Sequence, residues 1–459
     1  MGIGGKRRLV GLFVTVVWAF LIGDVSSAAA EEAIAEFMSV AARSSVFSAR
    51  GRSGGSAGAS PSRDADWLHR ASSAAMGYGL LEFTSVAARS SVSSMRGHSG
   101  GSAGASPSRD AGALLCLAVE GEGESRLQSK FAELAQRAEG NRRSVIGGTD
   151  GWLFLTSDVR FSSLGEFWGA SAAGVSRSRK PEQADPLAAI LDFQRQLNSL
   201  DIELWVAPVP PKPTVASAGL FGECAGESPR CDGAVADFLR VLAKEKVHVV
   251  DLEPEFRKAQ SADAGPMYCR TDSHWSGSAI VLAAATIAAD LRKRPWFDPD
   301  AAGAAATNKP ARFEKNQRPV KFAGDLLKLD VEPTSGFQAT DVPPSEEIAA
   351  WFVTDRATGQ PIEPATDSRV LLLGDSHTLF LHEATLHATG AGLSDHLALA
   401  LNEPVDLIGV RGSGSTSARV TLARQKDRLK QKRAVIWCFA AREFTESADG
   451  WRKLTIVKP

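Results

Sequence analysis

Two short motifs hold residue types that together make a nucleophilic relay. The first is Leu371-Leu372-Leu373-Gly374-Asp375-Ser376-His377, an apolar run that ends in Gly-Asp-Ser. Serine is a weak nucleophile until a base takes its proton. Where a buried strand runs into a helix, backbone N–H groups without helical acceptors surround such a serine and can hold an oxyanion. The same residues also read as a plain helix start, with Asp375 or Ser376 as the N-cap. The second motif is Tyr268-Cys269-Arg270-Thr271-Asp272-Ser273-His274-Trp275. In an extended segment residues i and i+2 share a face, so Asp272 can orient the His274 imidazole. The other ring nitrogen is then free to take the Ser376 proton. Helix capping by Asp272 and a bland role for His274 is the competing reading of that segment alone. Taken together the motifs supply nucleophile (Ser376), base (His274) and orienting acid (Asp272). The remaining histidines are poorer partners. His69 and His98 lie in low-complexity sequence, His248 inside a strand pattern, and His377 beside the serine. His382 and His387 are expected along the next helix, and His396 adjoins Asp395, whose side chain diverges from it.

The elements that must position these residues alternate between apolar runs and amphipathic stretches. Residues 126–139 have helical spacing, and SVIGGTDGWLFL reads as strand, glycine turn, strand. A helix is expected over 185–199, a buried strand over 202–210, a helix over 232–245 and a strand over 246–252. A long helix follows at 275–293. Strands are expected at 369–374, 405–410 and 433–440, with a helix after the first and another near 416–430. Strands alternating with helices predict an open parallel α/β sheet, whose active sites lie at the carboxyl ends of the strands. Residues 294–367 break the alternation and read as an inserted subregion with short strands, with 352–363 as a candidate hairpin. Such an insertion either shapes a groove or is surface elaboration.

The 459 residues suggest two or three folding units. A net charge of −1 argues against a nucleic-acid binder, which needs a basic face for phosphates. Lys6, Arg7 and Arg8 precede an apolar run to Gly23 and then small residues to Ala30, the pattern of an export signal. Residues 1–30 are therefore expected to be a signal peptide, with an uncleaved anchor as the alternative. Residues 36–65 and 82–111 are near copies that differ at four of 30 positions. Their Ser, Gly, Ala and Arg content cannot bury enough surface to offset its ordering entropy, so 31–115 reads as a disordered tether. The globular body is expected over 125–459. Of five cysteines, Cys224 and Cys231 flank a short loop that an oxidising compartment would let them close; free buried thiols are the alternative. Cys116, Cys269 and Cys438 complete the odd count. Neither a nucleotide-binding glycine motif nor a metal-ligand cluster is visible, so no cofactor and no metal are expected.

Gly-Asp-Ser before a helix resembles the first block of SGNH hydrolases, with the D-x-H placed before the serine as in a circular permutation. That order resembles the SGNH-like family of alginate O-acetyltransferases, which acetylate exopolysaccharides in the periplasm. Further matching stretches are GTDGWLFL (148–155), DPLAAILDFQRQL (185–197), APVPPKPTV (207–215), RTDSHWS (270–276) and LLLGDSH (371–377). The resemblance covers about 140 to 455. It implies Ser376 as nucleophile, His274 as general base, Asp272 as orienter, and an acetyl-serine intermediate that passes its acetyl group to a sugar hydroxyl. It further implies an exopolysaccharide acceptor and a membrane-bound O-acyltransferase as the acetyl supplier. A backbone N–H in Gly412-Ser413-Gly414 is the candidate second oxyanion donor, with a tight turn as the alternative. Lys212, Arg419 and Arg442 are candidate contacts to an anionic sugar, or structural ion pairs. Trp152, Trp275 and Trp437 are expected in core packing ahead of sugar stacking. The end at Pro459 leaves no room for a carbohydrate-binding module and favours the single-domain type. A carbohydrate esterase with the same triad, or a non-catalytic member of a polysaccharide export complex, are the competing functions.

Overall fold

The computed structural model describes residues 126–222, 230, 232–262, 265–297 and 310–457. The expected signal segment (1–30), the expected tether (31–115), Cys116, Cys224 and Cys231 lie outside the described residues. The first element is helix α1 (126–140), whose Phe131, Leu134 and Ala138 pack on Ile146 and Phe154. Strands β1 (Val145–Gly147) and β2 (Leu153–Leu155) form the expected hairpin, followed by α2 (Thr156–Ser162) and α3 (Pro186–Asn198). Then come β3 (Glu203–Val209), α4 (Gly233–Lys244), β4 (His248–Val249), α5 (Glu253–Ser261) and α6 (Gly277–Leu291). The insertion contributes β5 (Phe313–Phe322), β6 (Val331–Pro333) and β7 (Glu346–Asp355). The last part supplies β8 (Val370–Gly374), the single turn α7 (Ser376–Leu379), α8 (Leu393–Leu401), β9 (Asp406–Gly409), α9 (Thr416–Arg424) and β10 (Ala434–Ala440).

The main sheet is five parallel strands in the order β4-β3-β10-β8-β9. Its central strands read as unbroken apolar runs because helices cover both faces. Every residue of β8 and β10 is buried. Alternate side chains then serve two cores. Leu372, Ile436 and Cys438 join Trp275, Ile280, Ala284 and Leu393 under α6 and α8. Leu371, Leu373, Val435 and Trp437 join Phe193, Leu239 and Leu422 under α3, α4 and α9. Both cores pack on the strands that lead into Lys212, Ser376 and Arg442. Gly374 is needed at its place, since a Cβ there would collide with the Cys438 carbonyl of the neighbouring strand.

Three expectations are corrected. The strand over 246–252 contracts to His248–Val249, with His248 stacked on Trp205 at 4.5 Å. The helix after Ser376 is one turn only; the chain then reverses through His387 (φ 82°) and Gly390 (φ 87°), so His382 and His387 do not lie along a helix. The insertion carries ten-residue strands rather than short ones: β5 and β7 pair antiparallel over their full length, while 352–363 does turn back on itself through the antiparallel Thr354–Pro361 bridge. The sequence hid β5 because only Phe313, Val320 and Phe322 of its ten residues are buried, which leaves no alternation to read.

Candidate active site

The Gly-Asp-Ser segment behaves as its residue types require. β8 delivers Gly374 to the carboxyl end of the sheet, and Asp375 caps the turn that follows by accepting from the His377 N–H at 2.9 Å. Its second oxygen accepts from the Ala440 N–H at 2.7 Å, which ties the end of β8 to the end of β10. Burial works against a charge on Asp375, but His377, these backbone donors and Arg442 outweigh it and hold its pKa below the usual value. Ser376 is then the first residue of a helical turn, partly exposed, and its own N–H has no helical acceptor.

The D-x-H segment is a compact loop rather than an extended strand. A Tyr268–Trp275 bridge closes it, and Ser276, not Asp272, caps α6. The loop nonetheless brings the two side chains together. His274 Nδ1 lies 2.7 Å from Asp272 Oδ1, and the His274 N–H donates to the same oxygen at 3.0 Å. On the other side of the ring, Nε2 lies 2.8 Å from Ser376 Oγ. Phe380, one step beyond α7, stacks on the imidazole at 4.8 Å and 8° between planes, so the ring is fixed in plane as well as in reach. Asp272 is fully buried. Burial opposes its ionisation, yet hydrogen bonds from His274, His387 and the Asp325 N–H hold its pKa far below the ordinary range. A buried, permanently negative carboxylate is what a proton-accepting imidazole needs behind it.

Several residues that fix this loop carried no signal in the sequence. His387, placed by its left-handed backbone and stacked on Phe322 at 4.1 Å, brings Nε2 to 3.4 Å from Asp272 Oδ2. Asp325 donates its N–H to that oxygen at 2.9 Å and takes the N–H and Oγ of Ser273 on its carboxylate. Glu346 accepts from the N–H groups of Arg270 and Thr271 and from Thr271 Oγ1. Asp325 and Glu346 both come from the insertion, which is therefore a clamp on the acid–histidine loop. Gly324 lets it approach, because any Cβ there would meet the Thr271 carbonyl. Asp272, His274 and Asp325 also have the donor types and spacing for a metal ion. All their donor atoms are already engaged with protein partners, so the arrangement fits a proton relay.

The candidate sugar contacts fare differently. Lys212 is not exposed to any groove. Its ammonium is buried and donates to the carbonyls of Leu153 (2.6 Å), Arg270 (3.1 Å) and Asp272 (3.0 Å), over the rings of Trp152 and Phe154. Burial lowers its pKa to about 8. Arg419 is equally buried, donates to the Ser415 carbonyl, and lies over Trp437 and Trp451; burial lowers its pKa to about 9. Neither is placed to meet a sugar. Neither is in a side-chain ion pair; backbone carbonyls and aromatic faces take that part. Arg442 forms the ion pair, with Asp158 at 3.2 Å. Trp275 and Trp437 are wholly buried, as expected of core residues, and Trp152 is partly buried under Lys212 and Arg270. Gly414 packs against Asp375 and Phe439, and its carbonyl accepts from Trp437 Nε1 at 2.8 Å. Gly412 (φ 93°) is out on the exposed turn, where nothing approaches it. Ser413 and Ser415 hold the turn by donating to the buried Glu443. Cys269 and Cys438 are free, buried thiols, and burial raises both pKa values well above normal, so neither competes as nucleophile.

A family model described as the SGNH hydrolase-like domain of the acetyltransferase AlgX matches residues 145–441. The chain belongs to this family. That span begins at β1 and ends just past β10, so it contains every strand described here. The chain is also 28% identical over 160 residues to the probable alginate O-acetylase AlgJ of Pseudomonas aeruginosa. That alignment takes in 34% of this chain and about a third (35%) of the curated relative's length. Among solved structures it is similar to the O-acetyltransferase domain of Pseudomonas putida AlgJ, at 20% identity over 67% of this chain and 94% of that one, with a TM-score of 0.47. It is also similar to Pseudomonas aeruginosa AlgX, at 16% identity over 64% and 61% of the two chains, with a TM-score of 0.43. The SGNH-like α/β fold and the alginate O-acetyltransferase family expected from the two motifs are thus the fold and family of the chain.

Proposed function

We propose that this protein is an exported O-acetyltransferase that passes an acetyl group to hydroxyls of an exopolysaccharide through an acetyl-serine at Ser376. The observation that carries the reading is the continuous hydrogen-bonded line from Asp272 through His274 to Ser376 at 2.7 and 2.8 Å. Ser376 Oγ attacks the carbonyl carbon of the donor acetyl ester while His274 Nε2 takes the hydroxyl proton. The tetrahedral oxyanion meets the N–H of Ser376 at the helix start, with the Gly412–Gly414 turn as the second wall. Collapse expels the donor alkoxide, which takes the proton from His274 and leaves acetyl-Ser376. An acceptor sugar hydroxyl then gives its proton to His274 and attacks the acetyl carbon; the proton returns to Ser376 Oγ as the acetylated sugar departs. Asp272 stays ionised throughout and steadies the imidazolium.

Family membership supports acetyl transfer over simple hydrolysis, and the name of the AlgJ relative supports an alginate-like acceptor. The basic and apolar start of the sequence supports export to the periplasm, with residues 31–115 as tether and 125–459 as the catalytic body. In that setting a membrane-bound O-acyltransferase is the natural acetyl supplier. The test is to incubate the protein with p-nitrophenyl acetate and uronate or neutral oligosaccharides and read the products by mass spectrometry. Acetylated sugar is expected, and it is lost in Ser376→Ala, His274→Ala and Asp272→Ala. Ester cleavage with no sugar acetylation across acidic and neutral acceptors would instead favour a carbohydrate esterase. Inert wild type and variants alike would favour the non-catalytic role.

A further inference from the structure

Ser273 stands between the acid and the base of the relay, and no expectation from sequence gave it a role. Its N–H donates to Asp325 Oδ1 at 2.7 Å and its Oγ to Asp325 Oδ2 at 2.6 Å, so both oxygens of one carboxylate hold one serine. Ser273 Oγ also lies 3.5 Å from His274 Nδ1. The Asp325 N–H holds Asp272 Oδ2 at 2.9 Å, and the next N–H, of buried Leu326, holds the Thr271 carbonyl at 3.2 Å. The strap after β5 therefore grips three consecutive residues of the loop, with Asp325 at the centre. Its carboxylate does something further. It remains 46% exposed, and Oδ2 is 3.9 Å from His274 Nδ1.

We propose that Asp325 is a positioning residue for acetyl transfer: it seats Ser273, thereby holds the His274 ring between Asp272 and Ser376, and adds a second negative charge beside the ring. The proposal rests on Ser376 and His274 being the reacting pair. A serine relay is sensitive to small displacements, and a shift of about 1 Å in a positioned group costs roughly 100-fold in rate. The ionisable groups around the ring are Asp272 and Asp325 on the Nδ1 side, His377 beside it with ring centroids 4.8 Å apart, and His387 across the Asp272 carboxylate. Lys212 at the Asp272 carbonyl and Glu346 at Thr271 complete the set. With Asp272 engaged by four donors, Asp325 is the nearby carboxylate whose charge can be removed without breaking the relay itself.

The experiment uses the full chain, p-nitrophenyl acetate as the probe, and the variants Asp325→Asn and Asp325→Ala, with active sites counted by the nitrophenol burst. In the asparagine variant the amide oxygen can accept from the Ser273 N–H while its NH2 donates to Ser273 Oγ, so the seat survives and the charge is lost. The expected result for it is a fall in kcat of a few-fold, with the acidic limb of the kcat profile displaced to lower pH by about one unit or less, because an imidazolium is harder to form beside a neutral amide. The alanine variant loses the seat as well, and its kcat per active site is expected to fall about 10–100-fold with KM nearly unchanged. Wild-type kcat and pH profile in both variants would overturn the proposal. So would a loss that vanishes once rates are divided by the burst count, since that is the mark of a purely structural residue. Wild-type turnover that survives Ser376→Ala would instead contradict the underlying assignment of the reacting serine.

Discussion

Asp272 keeps its charge in a dry setting because four donors converge on two oxygens: the N–H and Nδ1 of His274 on one, the Asp325 N–H and His387 Nε2 on the other. Replacing it with asparagine leaves the shape but presents an amide to Nδ1 and favours the wrong tautomer. Turnover of Asp272→Asn is expected to fall by roughly 10³–10⁴-fold, measured as Ser376-dependent ester cleavage. The same depressed pKa bears on stability. Its folded value lies below the ordinary 3.8, so the contribution is complete above that value and drains away as pH falls below it. Wild type should therefore lose stability more steeply than Asp272→Asn between about pH 5 and pH 2, as followed by denaturant unfolding at each pH. Parallel slopes would contradict this. At this scale the residue types singled out Ser376, His274 and Asp272, and the fold brings the three within hydrogen-bond reach. The sequence was silent on Asp325, Glu346 and His387, which reach the loop only through tertiary structure. Lys212 was open between a sugar contact and a structural ion pair, and the fold gives it a structural place with three backbone carbonyls in the part of the acid.

At the scale of elements, the loop from Tyr268 to Trp275 is held by its neighbours more than by itself. Lys212 joins it to β2 and to the end of β3. Lys212→Met takes the lysine donor from the buried Leu153 and Asp272 carbonyls, while the Arg270 carbonyl keeps the Leu153 N–H, and a loss of about 2–4 kcal/mol is expected from lost charged hydrogen bonds and unpaired acceptors, measured by urea unfolding. Below about pH 8 the lysine is charged in both folded and unfolded chains. Between that value and its ordinary 10.5 the unfolded chain binds the extra proton, so wild type gains stability relative to Lys212→Met as pH rises through this window. A constant difference from pH 7 to 10 would contradict the buried ammonium. The strap from the insertion is equally specific. Gly324→Ala places a methyl group against the Thr271 carbonyl, and overpacking of this kind costs about 1–3 kcal/mol. It should also lower kcat, since the strap and the loop must part. The alternating helices and strands of the sheet were legible because each had a run of apolar residues at one period. β5 was not, because a ribbon exposed along most of its length needs little patterning to form.

At the scale of the molecule, the five parallel strands act as a rigid frame, and the site is assembled at their carboxyl ends from segments more than a hundred residues apart in sequence, His274 and Ser376 being 102 apart. The permuted motif order has no structural consequence there, because the frame and not the chain order sets the distances. Among the described residues no helix is long and apolar enough to cross a membrane. Residues 125–459 prepared alone are expected to unfold in a single transition and to keep the Ser376-dependent ester cleavage of the full chain; a fragment that cannot fold would contradict the division drawn from composition. An acetyl-serine at Ser376 can be seen directly. The protein is mixed with an acetyl donor, quenched in acid within the first turnover, and digested, and the peptide carrying Ser376 is weighed. One acetyl group is expected on Ser376, absent in Ser376→Ala and His274→Ala, and discharged from wild type when an acceptor oligosaccharide is added before the quench. Sugar acetylation with no acetyl group ever found on Ser376, or with the group on another residue, would contradict the acetyl-serine.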